Sequence, residues 1–145
     1  MLVYDIIMSM DSTSKVLEFV SFCIEMYARE YNMQGSLVSS DFEKNGIIDY
    51  LFDNSLSYRK SITFSAFCTE RKNMTVINQN NLRSILPGKI AQAASLIAKE
   101  KECSPKEALL LFYSSDVYKN LENESTKCWW LSPYQLYEDV MRKMK

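Results

Sequence analysis

The sequence predicts a mainly α-helical protein of two small related lobes, each a helix–helix–short-helix unit, with minor β elements and a terminal helix entered from a short strand. Three observations predict it. Apolar residues recur at three- and four-residue spacing over Lys15–Tyr31, Lys89–Lys101 and the last dozen residues. Helix punctuation stands where those runs begin and end, as Asn45-Gly46, Ser104-Pro105 and Ser132-Pro133. One pattern of apolar positions also occurs twice: Val38, Phe42, Ile47, Ile48 and Leu51 share their spacing with Ala108, Phe112, Val117, Tyr118 and Leu121. Upstream, Leu17, Val20, Ser21 and Ile24 match Ile90, Ala93, Ala94 and Ile97 once about three residues are dropped from the following linker. Pro87-Gly88 is the strongest break and divides the chain into a first lobe, 1–86, and a second, 87–145. A length of 145 residues suits one ordinary domain or two very small ones.

The first helix spans Lys15–Tyr31. Val16, Phe19, Val20, Cys23, Ile24, Tyr27, Ala28 and Tyr31 form its inner face, with Glu18, Glu25, Arg29 and Glu30 opposite. A second covers 36–44 and buries Leu37, Val38 and Phe42. Gly46 ends it, because glycine readily takes the positive φ wanted at a helix C-terminus. A third turn or two carries Ile47, Ile48, Tyr50, Leu51 and Phe52. From 54 to 81 the periodicity fades into a divergent, loop- or strand-rich stretch. Ser61–Phe67 alternates polar and apolar residues and reads as a strand, while 73–81 reads as a loop.

In the second lobe, Lys89–Lys101 turns Ile90, Ala93, Ala94 and Ile97 inward. Ser104-Pro105 with Glu107 carries the signs of a capping box and opens a helix burying Ala108, Leu111 and Phe112. Val117, Tyr118 and Leu121 make a short helix, 123–125 a turn and Lys127–Leu131 a short strand. Ser132-Pro133 then starts the terminal helix, with Leu136, Tyr137 and Val140 facing in.

Composition narrows the chemistry. The chain has no histidine and three glycines. It therefore lacks Ser-His-Asp and Cys-His nucleophile arrangements, histidine metal sites and glycine-rich phosphate loops. Cys23, Cys68, Cys103 and Cys128 stand 45, 35 and 25 residues apart, so no C-x-x-C pair exists, and they read as free thiols of a reducing compartment. Met1–Met8 carries Asp5 and no basic stretch, unlike a signal peptide, and the longest apolar run is Ala108–Tyr113. These features lead us to expect a soluble cytoplasmic protein. Neither a catalytic residue nor a cofactor or metal ligand can be named.

Charge is unevenly distributed. Residues 1–58 hold nine acids and three bases (net −6), 59–101 eight bases and two acids (net +6), and 102–145 seven acids and six bases (net −1). The pairs Glu25/Arg29 and Glu138/Arg142 read as solvated decoration on helices. Tyr27, Tyr50, Tyr113 and Tyr118 read as core residues with their hydroxyls at the rim. Trp129-Trp130, with Tyr134 and Tyr137, is the candidate partner interface: two adjacent tryptophans in a strand point to opposite faces, so one must be covered from elsewhere. Asp49 and Asp53 join it as candidate acidic contacts. The basic stretch with Arg59, Lys60, Arg71, Lys72, Arg83 and Lys89 offers a nucleic-acid reading. That reading ranks lower, because the third helices hold no basic reading surface for a DNA groove.

Phe19–Tyr27 and Phe42–Leu51 resemble a family of short bacterial proteins known only as a domain of unknown function. Glu107-Ala108, Phe112–Ser114, Leu121, Thr126, Trp130, Leu131–Pro133 and Leu136-Tyr137 resemble it again. The family's usual Leu-His-Thr-like segment is absent here, and 54–81 does not match. Members tend to be encoded beside proteins resembling ADP-ribosyltransferase toxins. The resemblance therefore implies a non-catalytic, antitoxin-like or accessory protein with that toxin as partner. Alternatives are a nucleic-acid-binding regulator using 59–101, or a homodimeric scaffold anchored by Trp129 or Trp130.

Overall fold

The computed structural model describes residues 2–59 and 76–144, with side chains described for 13–55 and 76–144. Among the described residues the secondary structure is helical throughout. The α-helices are α1 (Leu2–Glu30), α2 (Gly35–Lys44), α3 (Ile47–Arg59), α4 (Leu86–Lys101), α5 (Pro105–Tyr113), α6 (Asp116–Leu121) and α7 (Pro133–Lys143). Single 3₁₀ turns occupy Leu82–Ser84, Glu124–Thr126 and Cys128–Trp130.

Local chemistry explains several of the helix ends. Gly46 takes φ +73° just after α2, where a side chain would be strained. Ser104 Oγ accepts from the Glu107 N–H at the start of α5. Ser132 goes further, making a reciprocal capping box with Gln135 at the start of α7. Pro87-Gly88 falls in the first turn of α4, where a proline gives up no hydrogen bond.

The buried residues form one contiguous cluster drawn from both halves of the chain. Helix α4 lies at its centre, packed against α1, α5 and α7, while α2 and α3 pack on α1 and on each other. The two upstream sets of the repeated pattern, Leu17, Val20, Ser21 and Ile24 on α1 and Ile90, Ala93, Ala94 and Ile97 on α4, are all completely buried.

Several expectations are corrected. No strand precedes the terminal helix: Lys127 adopts φ +59°, and a 3₁₀ turn at Cys128–Trp130 replaces the strand expected over 127–131, after a turn at Glu124–Thr126 where one was expected. The minor β elements therefore find no support among the described residues; Ser61–Phe67 lies outside them. Helix α1 begins well before Lys15, and α3 runs on to Arg59, through a stretch read as irregular. The inner face of α1 keeps Phe19, Val20, Ile24 and Ala28 as expected, with Val16 and Cys23 half-buried beside them, but it extends further to one side. Leu17, Ser21, Ile24, Glu25 and Ala28 are buried, whereas Tyr27 and Tyr31 are exposed. Leu37 on α2 also faces solvent, and Leu109 rather than Leu111 is the fully buried leucine of α5. No described helix is long and apolar enough to cross a membrane.

Candidate functional site

The inner face of α1 extends to Glu25, which is completely buried. An isolated buried carboxylate would cost several kcal/mol, so donors must surround it. Three do. Arg83 Nη1 donates to Oε1 at 2.9 Å, while the hydroxyls of Tyr113 and Tyr118 donate to Oε2 at 2.8 and 2.7 Å. The Tyr113 proton is thereby used, so Ser21 Oγ, 2.7 Å away, donates to the Tyr113 oxygen.

Arg83 carries the set outward. Its Nη2 donates to the Met33 carbonyl at 3.1 Å and to Glu122 Oε2 at 3.0 Å. That same carboxylate oxygen accepts from the Gly35 N–H at 3.0 Å. Gly35 itself is buried under the Tyr118 ring: a Cβ there would lie 1.8 Å from the Tyr118 hydroxyl oxygen. One clasp of charge-assisted hydrogen bonds thus ties α1, the α1–α2 connection, the 3₁₀ turn at 82–84, α5 and α6. Gln79 adds two bonds, donating to the Glu122 carbonyl and accepting from the Glu124 N–H.

Burial raises the pKa of the Glu25 carboxyl, with the Arg83 guanidinium and the tyrosine hydroxyls pulling it back. Burial, reinforced by the charge of Glu25, holds the Tyr113 and Tyr118 hydroxyls well above the ordinary tyrosine range. Glu25, Tyr113 and Tyr118 have no exposed surface, so the clasp cross-links these elements from inside the core.

This centre corrects two readings of the sequence. Glu25 is not solvated decoration paired with Arg29, which is exposed; its cation lies 58 residues away at Arg83. Tyr113 and Tyr118 keep their hydroxyls inside the core, while Tyr27 and Tyr50 are 40% and 52% exposed. Arg142 likewise pairs with Asp139, not Glu138. The one sequence signal for the centre was the pair of polar residues Ser21 and Glu25 on an otherwise apolar stretch of helix.

The surface candidates lie elsewhere. Trp129 and Trp130 do not point to opposite faces. They share a 3₁₀ turn and stack, with ring centroids 5.1 Å apart and planes 24° from parallel. Trp130 is 73% exposed; Trp129 packs on the core edge with its Nε1 buried and without a hydrogen-bond partner. The Lys127 ammonium stands 6.0 Å from the Trp129 ring centre. On α7, Tyr134 and Tyr137 lie 5.6 Å apart, and Tyr134 is 56% exposed. Asp49 and Asp53 lie on α3 instead. There Lys106 binds Asp49 at 2.7 Å and Glu43 at 3.3 Å, so Asp49 already has an internal partner.

Two depressions flank Tyr134. A groove of about 740 Å³ runs between α4, Thr13 and Ser14 of α1, and the starts of α5 and α7, with Gln92, Ser95, Leu96, Cys103, Ser132 and Tyr134 in its walls. A second pocket, about 290 Å³, lies between the end of α4 and α7. Among the described residues no group of three or more cysteines and carboxylates is placed to hold a metal ion.

The sequence profile of a family described as a protein of unknown function, DUF3791, matches residues 18–54, from the later part of α1 through α2 into α3. The matched stretch supplies Ser21, Glu25, Met33 and Gly35 to the clasp, and none of the residues that donate to Glu25. No curated protein and no solved structure matches the chain significantly.

Proposed function

We propose that the protein is a non-catalytic binding module whose aromatic face, carried by the 3₁₀ turn at 128–130 and α7, engages another protein. The observation behind this reading is the gathering of Trp129, Trp130, Tyr134 and Tyr137 within nine residues of chain, two of them more than half exposed. Exposed tryptophan and tyrosine are the side chains most often found as interface anchors. A rigid core clasped at Glu25 presents them at low conformational cost.

The partner class rests on the resemblance at 18–54. That family's neighbourhood nominates an ADP-ribosyltransferase-like toxin, which the module would neutralise or assist. The repeated pattern suggests two tandem copies of the unit, α1–α3 and α4–α6, and the complete burial of all eight upstream positions supports it. The nucleic-acid reading loses two of its bases to internal contacts: Arg83 is inside the clasp, and Lys89 donates to the Leu131 carbonyl at 2.8 Å.

Co-expression with the neighbouring gene product, followed by size exclusion and light scattering, tests the proposal. Co-elution that is lost on replacing Trp130 with serine is the expected result. Separate elution at micromolar concentration would overturn it, and a dimeric mass for the protein alone would favour the scaffold.

A further inference from the structure

We propose that the pocket between the end of α4 and α7 receives an arginine side chain of the partner protein. The inference rests on the protein-binding reading and adds the chemistry that the aromatic face selects. Glu100 comes from α4, and Tyr134, Tyr137, Glu138, Met141 and Arg142 from α7. Two tyrosine rings, their centroids 5.6 Å apart and tilted by 49°, stand in its wall, and an aromatic ring attracts a flat cation placed against it. Two carboxylates stand beside them. Partial burial and the nearby charges of Glu100 and Glu138 hold the Tyr137 hydroxyl above its usual range.

The cation already lining the pocket is committed elsewhere: Arg142 is paired with Asp139 on its own helix. Its charge is therefore offset, and Glu100 and Glu138 leave the pocket net negative. A volume of about 290 Å³ is many times that of a water (~30 Å³) and admits the head of a long side chain. Guanidinium is preferred to ammonium because it stacks on an aromatic ring while its edge donates to carboxylates in parallel. Met141 gives the stem an apolar wall.

The test uses the full chain with labelled tyrosine rings and three probes: the N-acetyl amides of arginine, citrulline and lysine. Citrulline keeps the shape of arginine without its charge. The arginine amide should shift the Tyr134 and Tyr137 signals saturably in the millimolar range, the citrulline amide should not, and the lysine amide should bind more weakly. Glu138→Gln, an exposed change that leaves the core intact, should weaken arginine binding roughly threefold. No saturable shift, or equal shifts from arginine and citrulline, would overturn the proposal, and equal binding of lysine would overturn the preference for guanidinium. Arginine binding without toxin co-elution would sink the toxin assignment and leave the pocket standing; co-elution without arginine binding would do the reverse.

Discussion

Gly35 begins α2, and on propensity alone an alanine there should help, by up to about 1 kcal/mol. The packing around it gives the opposite sign. An added Cβ would stand 1.8 Å from the Tyr118 hydroxyl oxygen, 2.6 Å from Cζ and 2.9 Å from Cε2, where ordinary contact begins near 3.4 Å. The hydroxyl would have to retreat by about 1.6 Å, the shortfall against that contact distance. Its 2.7 Å bond to Glu25 cannot survive such a move. Losing a hydrogen bond to a charged group costs about 1.5–3 kcal/mol, and forcing volume into a packed site about 1–3 more. After the propensity gain, Gly35→Ala should destabilise by about 3 kcal/mol. With a urea m-value of roughly 1–3 kcal/mol/M, the unfolding midpoint should fall by about 1 M or more. Circular dichroism during urea titration reads this directly. In a Tyr118→Leu background, where the ring and hydroxyl are gone, the penalty should largely disappear. An unchanged or raised midpoint for Gly35→Ala would refute the close approach on which the clasp depends.

Arg83→Leu leaves Glu25 buried without its cation and should cost about 3–5 kcal/mol, with Glu25→Leu added in the same chain recovering part of the loss; strictly additive effects in urea titrations would show that the two do not interact. Stability should also fall in alkali. The Cys23 thiol is pushed up from 9.0 to about 12 by burial, and the Tyr113 and Tyr118 hydroxyls lie well above 10. The folded state thus holds protons that the unfolded chain releases. The stability involved is fully present below about pH 9 and is lost as pH climbs toward 12, with a slope of up to about 4 kcal/mol per pH unit once all three contribute. Urea midpoints that stay level from pH 8 to 11 would contradict this. Ser132→Ala removes one side of the α7 capping box and should cost about 1 kcal/mol, read as a lower thermal midpoint, whereas the same change at exposed Ser114 should cost little.

Helix positions were legible in the sequence wherever they depend on nearest neighbours. Ser104, Ser132 and Asn45-Gly46 mark ends because caps and positive φ are local chemistry. The inward faces of α4 and α6 could be read as well, since their apolar residues have no polar competitor on the same stripe. Glu25 could not be read in this way. A carboxylate four residues before an arginine has the signature of a solvated pair, and nothing local reports a guanidinium 58 residues away. The same oversight left the expected inner face of α1 too narrow on one side, because hydropathy assigns Ser21 and Glu25 to solvent, although Phe19, Val20, Ile24 and Ala28 are buried as expected. Trp129 and Trp130 favour strands intrinsically, yet Lys127 in the left-handed region coils the backbone into a 3₁₀ turn that stacks their rings. Of the candidate interface, the aromatic residues were legible as a group. Glu100 was not, because only the packing of α4 on α7 brings it to the tyrosines.

The carboxylate of Glu25 comes from the first half of the chain, and every group that donates to it comes from the second. A change tolerated in one half is therefore judged by the other. Lineages that lose the acid should lose the arginine with it, and a hybrid assembled from two diverged parents should fail at this pair before its surfaces ever meet a ligand.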